Sequence, residues 1–217
     1  MFAQILYTQW KWARTELFLY VLGAFLVPTI IIRTGFSYVD TYEIRSVLGV
    51  GTFAGVFLAA LALLSAFGLA WRPYILDAGL KHVGPLSLPI SWGEFVRMRF
   101  LAGVMLLAIP AAAVWLGGVL AAASVTIPPT LHAYPGGLAV RFYLASLVAY
   151  GAAFALQYVA GKNAVRLAVI VLVVIALAEI AAQMIGLSSI LATAWNLLTN
   201  WPGPFAVFAA RWMLIDV

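Results

Sequence analysis

The chain has 217 residues, 65% of them hydrophobic and 9% charged, with a mean hydropathy of +1.08 and a net charge of +5. No water-soluble core of this length needs so much apolar surface, whereas helices facing lipid must be apolar outside as well as inside. Cysteine is absent, which excludes disulfides and thiolate metal sites; the 12 Lys and Arg stand at the ends of apolar runs, a pattern of membrane topology and not of nucleic-acid binding.

The fold class these features predict is all-α: a polytopic membrane protein forming a single transmembrane domain over 1–217. Residues 2–14 read as an amphipathic helix, with Phe2, Ile5, Leu6, Trp10 and Ala13 on one face and Gln4, Thr8, Lys11 and Thr15 on another. Such a helix is expected to lie flat in the membrane interface, Trp10 and Trp12 at headgroup depth and Lys11 and Arg14 towards phosphate. It serves either as an elbow bracing the first span or as a plain interfacial anchor. No small-x-small cleavage pattern follows it, so the first apolar run is expected to stay in the mature protein.

Spans are expected at about 16–33, 47–71, 98–123, 141–160 and 165–185, each near the roughly 20 residues a bilayer requires. The first is short and carries Pro28. The second contains Gly51-Thr-Phe-Ala-Gly55, a spacing that allows close backbone approach within the molecule or to a second copy. The last segment, 187–217, is weakened by Asn196 and Asn200 and interrupted by Pro202, Gly203 and Pro204. It reads as a sixth span broken or preceded by a short helix, with five spans as the alternative.

Positive charges orient the bundle. With the N-terminus in the cytoplasm, the inner side holds Lys11, Arg14, Arg72, Lys81, Arg97, Arg99, Lys162 and Arg166, and the outer side only Arg33, Arg45 and Arg141. The bias towards the inside favours this orientation. Residues 72–99 then form the one sizeable cytoplasmic loop, and 124–141, with His132, an external one. In the cytoplasmic loop Pro73 suits a helix start and Gly84-Pro85 a helix end, and Asp77 and Lys81 stand four residues apart in the favourable order. Ser91 and Glu94 then form a capping box that starts a helix running through Arg97 and Arg99 into the third span.

Glu179 is the single acidic residue inside a span, with Gln183 one turn further on. An intramembrane carboxylate faces protein or water and is a functional-site candidate. It is read either as a residue of a substrate path or gate or as one partner of an interhelical hydrogen bond, Gln157 being a polar neighbour it can pair with.

The order of these elements resembles that of permease subunits of type-2 ABC exporters: an N-terminal elbow, two spans, then a cytoplasmic segment reading Asp77-Ala-Gly-Leu-Lys-His-Val-Gly-Pro-Leu-Ser-Leu-Pro-Ile-Ser-Trp-Gly-Glu-Phe-Val. Leu88-Pro-Ile-Ser with Glu94-Phe-Val and Arg97 is similar to the stretch leading into that family's third span. The likeness implies a six-helix permease bundle in a bacterial inner membrane, with the segment from Pro73 to Val83 as a coupling helix seated in a cytosolic ATPase. Tyr74, Asp77, Lys81, His82 and Glu94 would then be the coupling residues. It also implies a second permease as partner, homo- or heterodimeric, and a hydrophobic or amphipathic substrate passing near Glu179, Gln183 and Gln157. The short, Pro-broken last segment departs from the family pattern.

The residues agree that catalysis is expected elsewhere. A P-loop needs Gly-Lys-Ser/Thr, and Lys11, Lys81 and Lys162 are followed by Trp12, His82 and Asn163. His82 and His132 both fall in loops, where they cannot hold an intramembrane haem, and no spacing suits zinc. The chain is expected to be no enzyme, to carry no cofactor and to meet membrane lipid, with no nucleic-acid partner. The alternative function is a non-catalytic helical scaffold subunit of a larger membrane complex.

Overall fold

The computed structural model describes residues 1–36, 44–79, 90–124, 132–160, 163–184, 189, 193 and 214–216. Among them are five helices, α1 (Phe2–Phe36), α2 (Ile44–Gly79), α3 (Trp92–Ala123), α4 (Pro135–Ala160) and α5 (Ala164–Met184), and two short strands, β1 (His132–Ala133) and β2 (Ile215–Asp216). The chain falls into two compact units, residues 1–154 with 211–217 and residues 155–210.

Four stretches among the described residues, Phe2–Ile30, Phe57–Asp77, Trp92–Ala123 and Pro135–Tyr158, are long and apolar enough to cross a membrane. α5 adds a shorter apolar stretch, Val173–Met184. Side-chain size supports lipid surroundings. The buried positions are rich in alanine (Ala24, Ala62, Ala66, Ala102, Ala121, Ala153), while Phe18, Leu64, Phe67, Leu101, Trp115 and Leu120 face outward. Small residues inside and large apolar ones outside is how helices pack where lipid supplies the solvent.

Two expected boundaries move. The elbow and the first span are one uninterrupted helix, α1, 35 residues long. Nothing between Ala13 and Glu16 breaks it, since no Gly or Pro stands there. Its buried stripe, Ile5, Gln9, Ala13, Leu17, Ala24 and Pro28, continues along both parts. The helix expected to begin at Pro73 is instead the end of α2, which carries Pro73 in its interior. α1 and α3 likewise accommodate Pro28 and Pro110. A proline removes one hydrogen bond and does not end a helix that neighbouring helices hold in place. The sixth helix lies outside the described residues apart from Ser189 and Thr193.

In the first unit α1 and α3 run parallel. Near their starts Ile5 packs with Phe95 and Ala102. Farther along, the α3 backbone at Gly117 lies against the carbonyl of Phe25 so closely that a Cβ would collide with it, and Thr29 Oγ1 donates to the Gly117 carbonyl at 3.4 Å. α2 returns antiparallel: Leu61 lies over Gly23, Tyr20 over Gly68, and Arg72 meets Glu16 at 3.6 Å. α4 is antiparallel to α3. Tyr143 donates to the Val104 carbonyl at 3.3 Å, and Tyr150, over Gly103, stacks with Phe100 beside Phe154.

The end of the chain closes this unit. β2 pairs antiparallel with β1, Asp216 opposite His132 and Ile215 opposite Ala133. The Tyr134 amide donates to the Leu214 carbonyl at 2.8 Å. Leu214 is buried, its side chain against Gly118, where Pro135 also packs. Residues 214–216 therefore lie where α3 ends and α4 begins, opposite the end where α1 starts.

Candidate functional site

Gln9, Asp77, Ser91, Glu94 and Arg99 of the first unit lie at the end where α1 starts, α2 finishes and α3 begins. Asp77, in the last turn of α2, forms an ion pair with Arg99 of α3, and both side chains are about 5% exposed. Asp77 stands at a helix C-terminus, where the backbone dipole disfavours an acid. The guanidinium opposite offsets that cost. Arg99 also lies over the Phe95 ring, 5.7 Å from its centroid, and Phe95 stacks against Trp92. Phe95 in turn belongs to the cluster with Ile5. One turn beyond Ile5 on α1, Gln9 is buried, and its Oε1 has no hydrogen-bond partner among the described residues.

The entry into α3 is fixed by the capping box that the sequence predicts. Ser91 Oγ accepts from the Glu94 amide at 3.3 Å, and Glu94 Oε2 accepts from the Ser91 amide at 3.2 Å. Glu94 is thus exposed and occupied by the cap. Tyr74 is half-buried on α2. Lys81 and His82 lie outside the described residues. Asp77 points inward to Arg99, as a carboxylate buried among packed helices requires a cation within reach; its expected pairing with Lys81 lies outside the described residues. Sequence reasoning counted Arg99 only as a topological charge.

The other expected positions separate. Lys11 and Arg14 are exposed, Trp10 is exposed, and Trp12 is half-buried. On α4 Gln157 is buried. On α5 Gln183 Nε2 donates to Glu179 Oε1 at 3.2 Å, Glu179 half-buried and Gln183 exposed. One helical turn thus satisfies part of the hydrogen-bonding capacity of that carboxylate in an otherwise apolar helix. Among the described residues no group of three or more His, Cys, Asp or Glu comes together at a potential metal site.

The arrangement can transmit a displacement. The chain leaves α2 just after Asp77 and enters α3 just before Arg99, so the ion pair ties the two sides of the intervening segment to one another, and the Ile5 cluster ties them to α1. No protein-family model, curated protein or solved structure matches the chain.

Proposed function

We propose that this chain is the membrane-spanning permease subunit of an ATP-driven exporter of the type-2 ABC class, in a bacterial inner membrane with its N-terminus cytoplasmic. A separate cytosolic ATPase supplies the energy, and a second permease completes the transporter. The supporting observation is the buried Asp77–Arg99 pair. It locks the segment between α2 and α3, where the sequence resembles the family's coupling region, to the helices on both sides. A push from a docked ATPase on that segment would move α2 and α3 together. Asp77 then acts as an internal strut, and the docking surface falls to Tyr74, Lys81 and His82. The test is to purify the tagged chain from native membranes in mild detergent. A co-purifying P-loop ATPase supports the proposal; recovery with other integral subunits and no ATPase supports the scaffold reading. That alternative draws on a specific feature: mid-span Ser65 and Ser146 bond their own helix backbone, at Ala62 and Phe142, and offer no polar track through the first unit.

We further take the number of crossings to be odd. α1 starts at one end of the first unit and Ile215–Asp216 lie at the other, which suits five spans and an external C-terminus. The absence of cysteine makes this directly measurable. Single cysteines at Ala3→Cys and appended after Val217 are treated with a membrane-impermeant maleimide on intact cells. Labelling at the C-terminus alone is expected; equal labelling of both would restore an even count.

A further inference from the structure

We propose that the outer face of the first turns of α1 is a binding site for anionic phospholipid headgroups, a site that depends on reading the helices as membrane spans and not on the exporter assignment. The observation is the continuity of α1. Because residues 2–14 and the rest form one uninterrupted helix, the exposed positions form one stripe along it. Leu22, Leu26 and Ile30 are the exposed apolar part of it. Phe18, 66% exposed, continues that part towards the N-terminus, and Arg14, Lys11, Trp10 and Tyr7 follow on the same side.

Depth follows from helical rise. At about 1.5 Å per residue, Arg14 stands about 6 Å and Lys11 about 10 Å beyond Phe18. With the hydrocarbon edge set at Phe18, the last apolar residue of the stripe, those distances reach the headgroup layer. Two exposed aromatic side chains, Trp10 and Tyr7, follow the two cations outward, of the kind enriched near membrane surfaces. The opposite side of the same turns, Ile5, Gln9 and Ala13, is buried against protein. This stripe therefore faces lipid where it is apolar and lipid headgroups where it is basic. Glu16, the one acidic residue of α1, is engaged by Arg72 and leaves the charge of this face standing. Two neighbouring cations beside aromatic rings suit a phosphate ester carrying net negative charge, and give no reason to prefer a zwitterionic headgroup.

The test is native mass spectrometry of the full chain in detergent, titrated separately with phosphatidylglycerol, phosphatidylcholine and inorganic phosphate. A basic residue near an anionic surface contributes about five-fold in affinity, so the wild type should prefer phosphatidylglycerol over phosphatidylcholine by roughly 25-fold. Lys11→Gln with Arg14→Gln should abolish that preference. Both side chains are exposed, so the fold should survive. Arg97→Gln, which removes an exposed cation from α3, should leave the preference intact. Equal binding of the two lipids by the wild type, or a preference that survives the double substitution, would overturn the proposal. Competition by inorganic phosphate as effective as phosphatidylglycerol would also overturn it, by showing a free-anion site.

Discussion

The two ends of the first unit are held by different physics. At the end where α1 starts, charge and hydrogen bonding do the work: Asp77 with Arg99, Arg99 over Phe95, and the Ser91–Glu94 cap. At the opposite end the contacts set out above are steric and main-chain. The α3 backbone presses on Phe25 at Gly117, Leu214 and Pro135 pack against Gly118, and two strands close by main-chain pairing. An ion pair can be broken and remade as a unit moves, whereas interlocked backbones tolerate little displacement. The difference is what a subunit needs if it receives a mechanical signal at one end and pivots about the other.

Arg99→Leu is the sharpest way to break the comparison. It strands a buried carboxylate, and loss of one partner of a buried pair costs about 3–5 kcal/mol. The detergent-solubilised protein should lose most of its thermal stability, measured by fluorescence-detected size exclusion after heating. Asp77→Leu combined with Arg99→Leu should recover most of the loss, because two apolar residues leave no charge to desolvate. A double variant as unstable as the single one would mean that the pair is not an isolated strut. In that event its role in tying α2 to α3 would have to be sought in wider packing.

At the steric end Leu214→Ala comes next. Truncating a buried leucine costs about 2–5 kcal/mol where the cavity cannot collapse, and the facing groups are the backbone of Gly118 and the ring of Pro135. The same heating assay should show the loss. A sharper arm joins residues 132 and 216 as cysteines in this cysteine-free chain. Directly opposed residues of antiparallel strands lie about 4.5–5.5 Å apart at Cα, within reach of a disulfide. The crosslink should form on oxidation and leave stability unchanged or higher. Failure to crosslink would remove β2 from this end and with it the argument for an odd number of crossings.

Gly117→Val should cost less, about 1–3 kcal/mol, the ordinary cost of overpacking. The obstructing atom is the Phe25 carbonyl oxygen, part of a helix backbone that cannot rotate away. Equal stability of Gly117→Val and wild type would show that α1 and α3 can separate at this level, and the steric end would no longer serve as a pivot.

Much of this was legible in the sequence for reasons that also mark its limits. Ser91 and Glu94 are local, three residues apart, and their cap forms as expected. The apolar runs of α3 and α4 exceed any alternative to helix. Pro73 misled because a local rule for helix starts met a membrane helix that neighbours hold together across a proline. The elbow misled because amphipathic periodicity over 2–14 does not say whether the polar face meets water or protein. Gln9, about 100° around the helix from its neighbour Trp10, is buried. The Asp77–Arg99 pair was hidden because its partners are 22 residues apart, and only the antiparallel return of α3 against α2 makes them neighbours. The pairing of 214–216 with 132–133 spans most of a unit, and two residues per strand carry no periodicity to read.

The smallest effect sharpens the contrast from the other direction. Gly151 lies inside α4, and among the described residues nothing beyond its chain neighbours and own helix backbone comes within 4 Å of where a Cβ would stand. Glycine in a helix interior costs roughly 0.5–1 kcal/mol relative to alanine through backbone entropy, so Gly151→Ala should raise stability by about that amount. The comparison with Gly117 is then one of sign: the same residue type is obligatory where backbones interlock and dispensable where the face is open. The measurement is also informative if it fails. A loss of stability or of assembly in Gly151→Ala would mean that a surface absent from the described residues, such as a second copy of the chain, closes on this side of α4. Small residues at a helix surface are what such an approach requires. The concentration dependence of the loss separates the two cases, since a defect confined to one chain does not change with dilution, whereas a defect in association does.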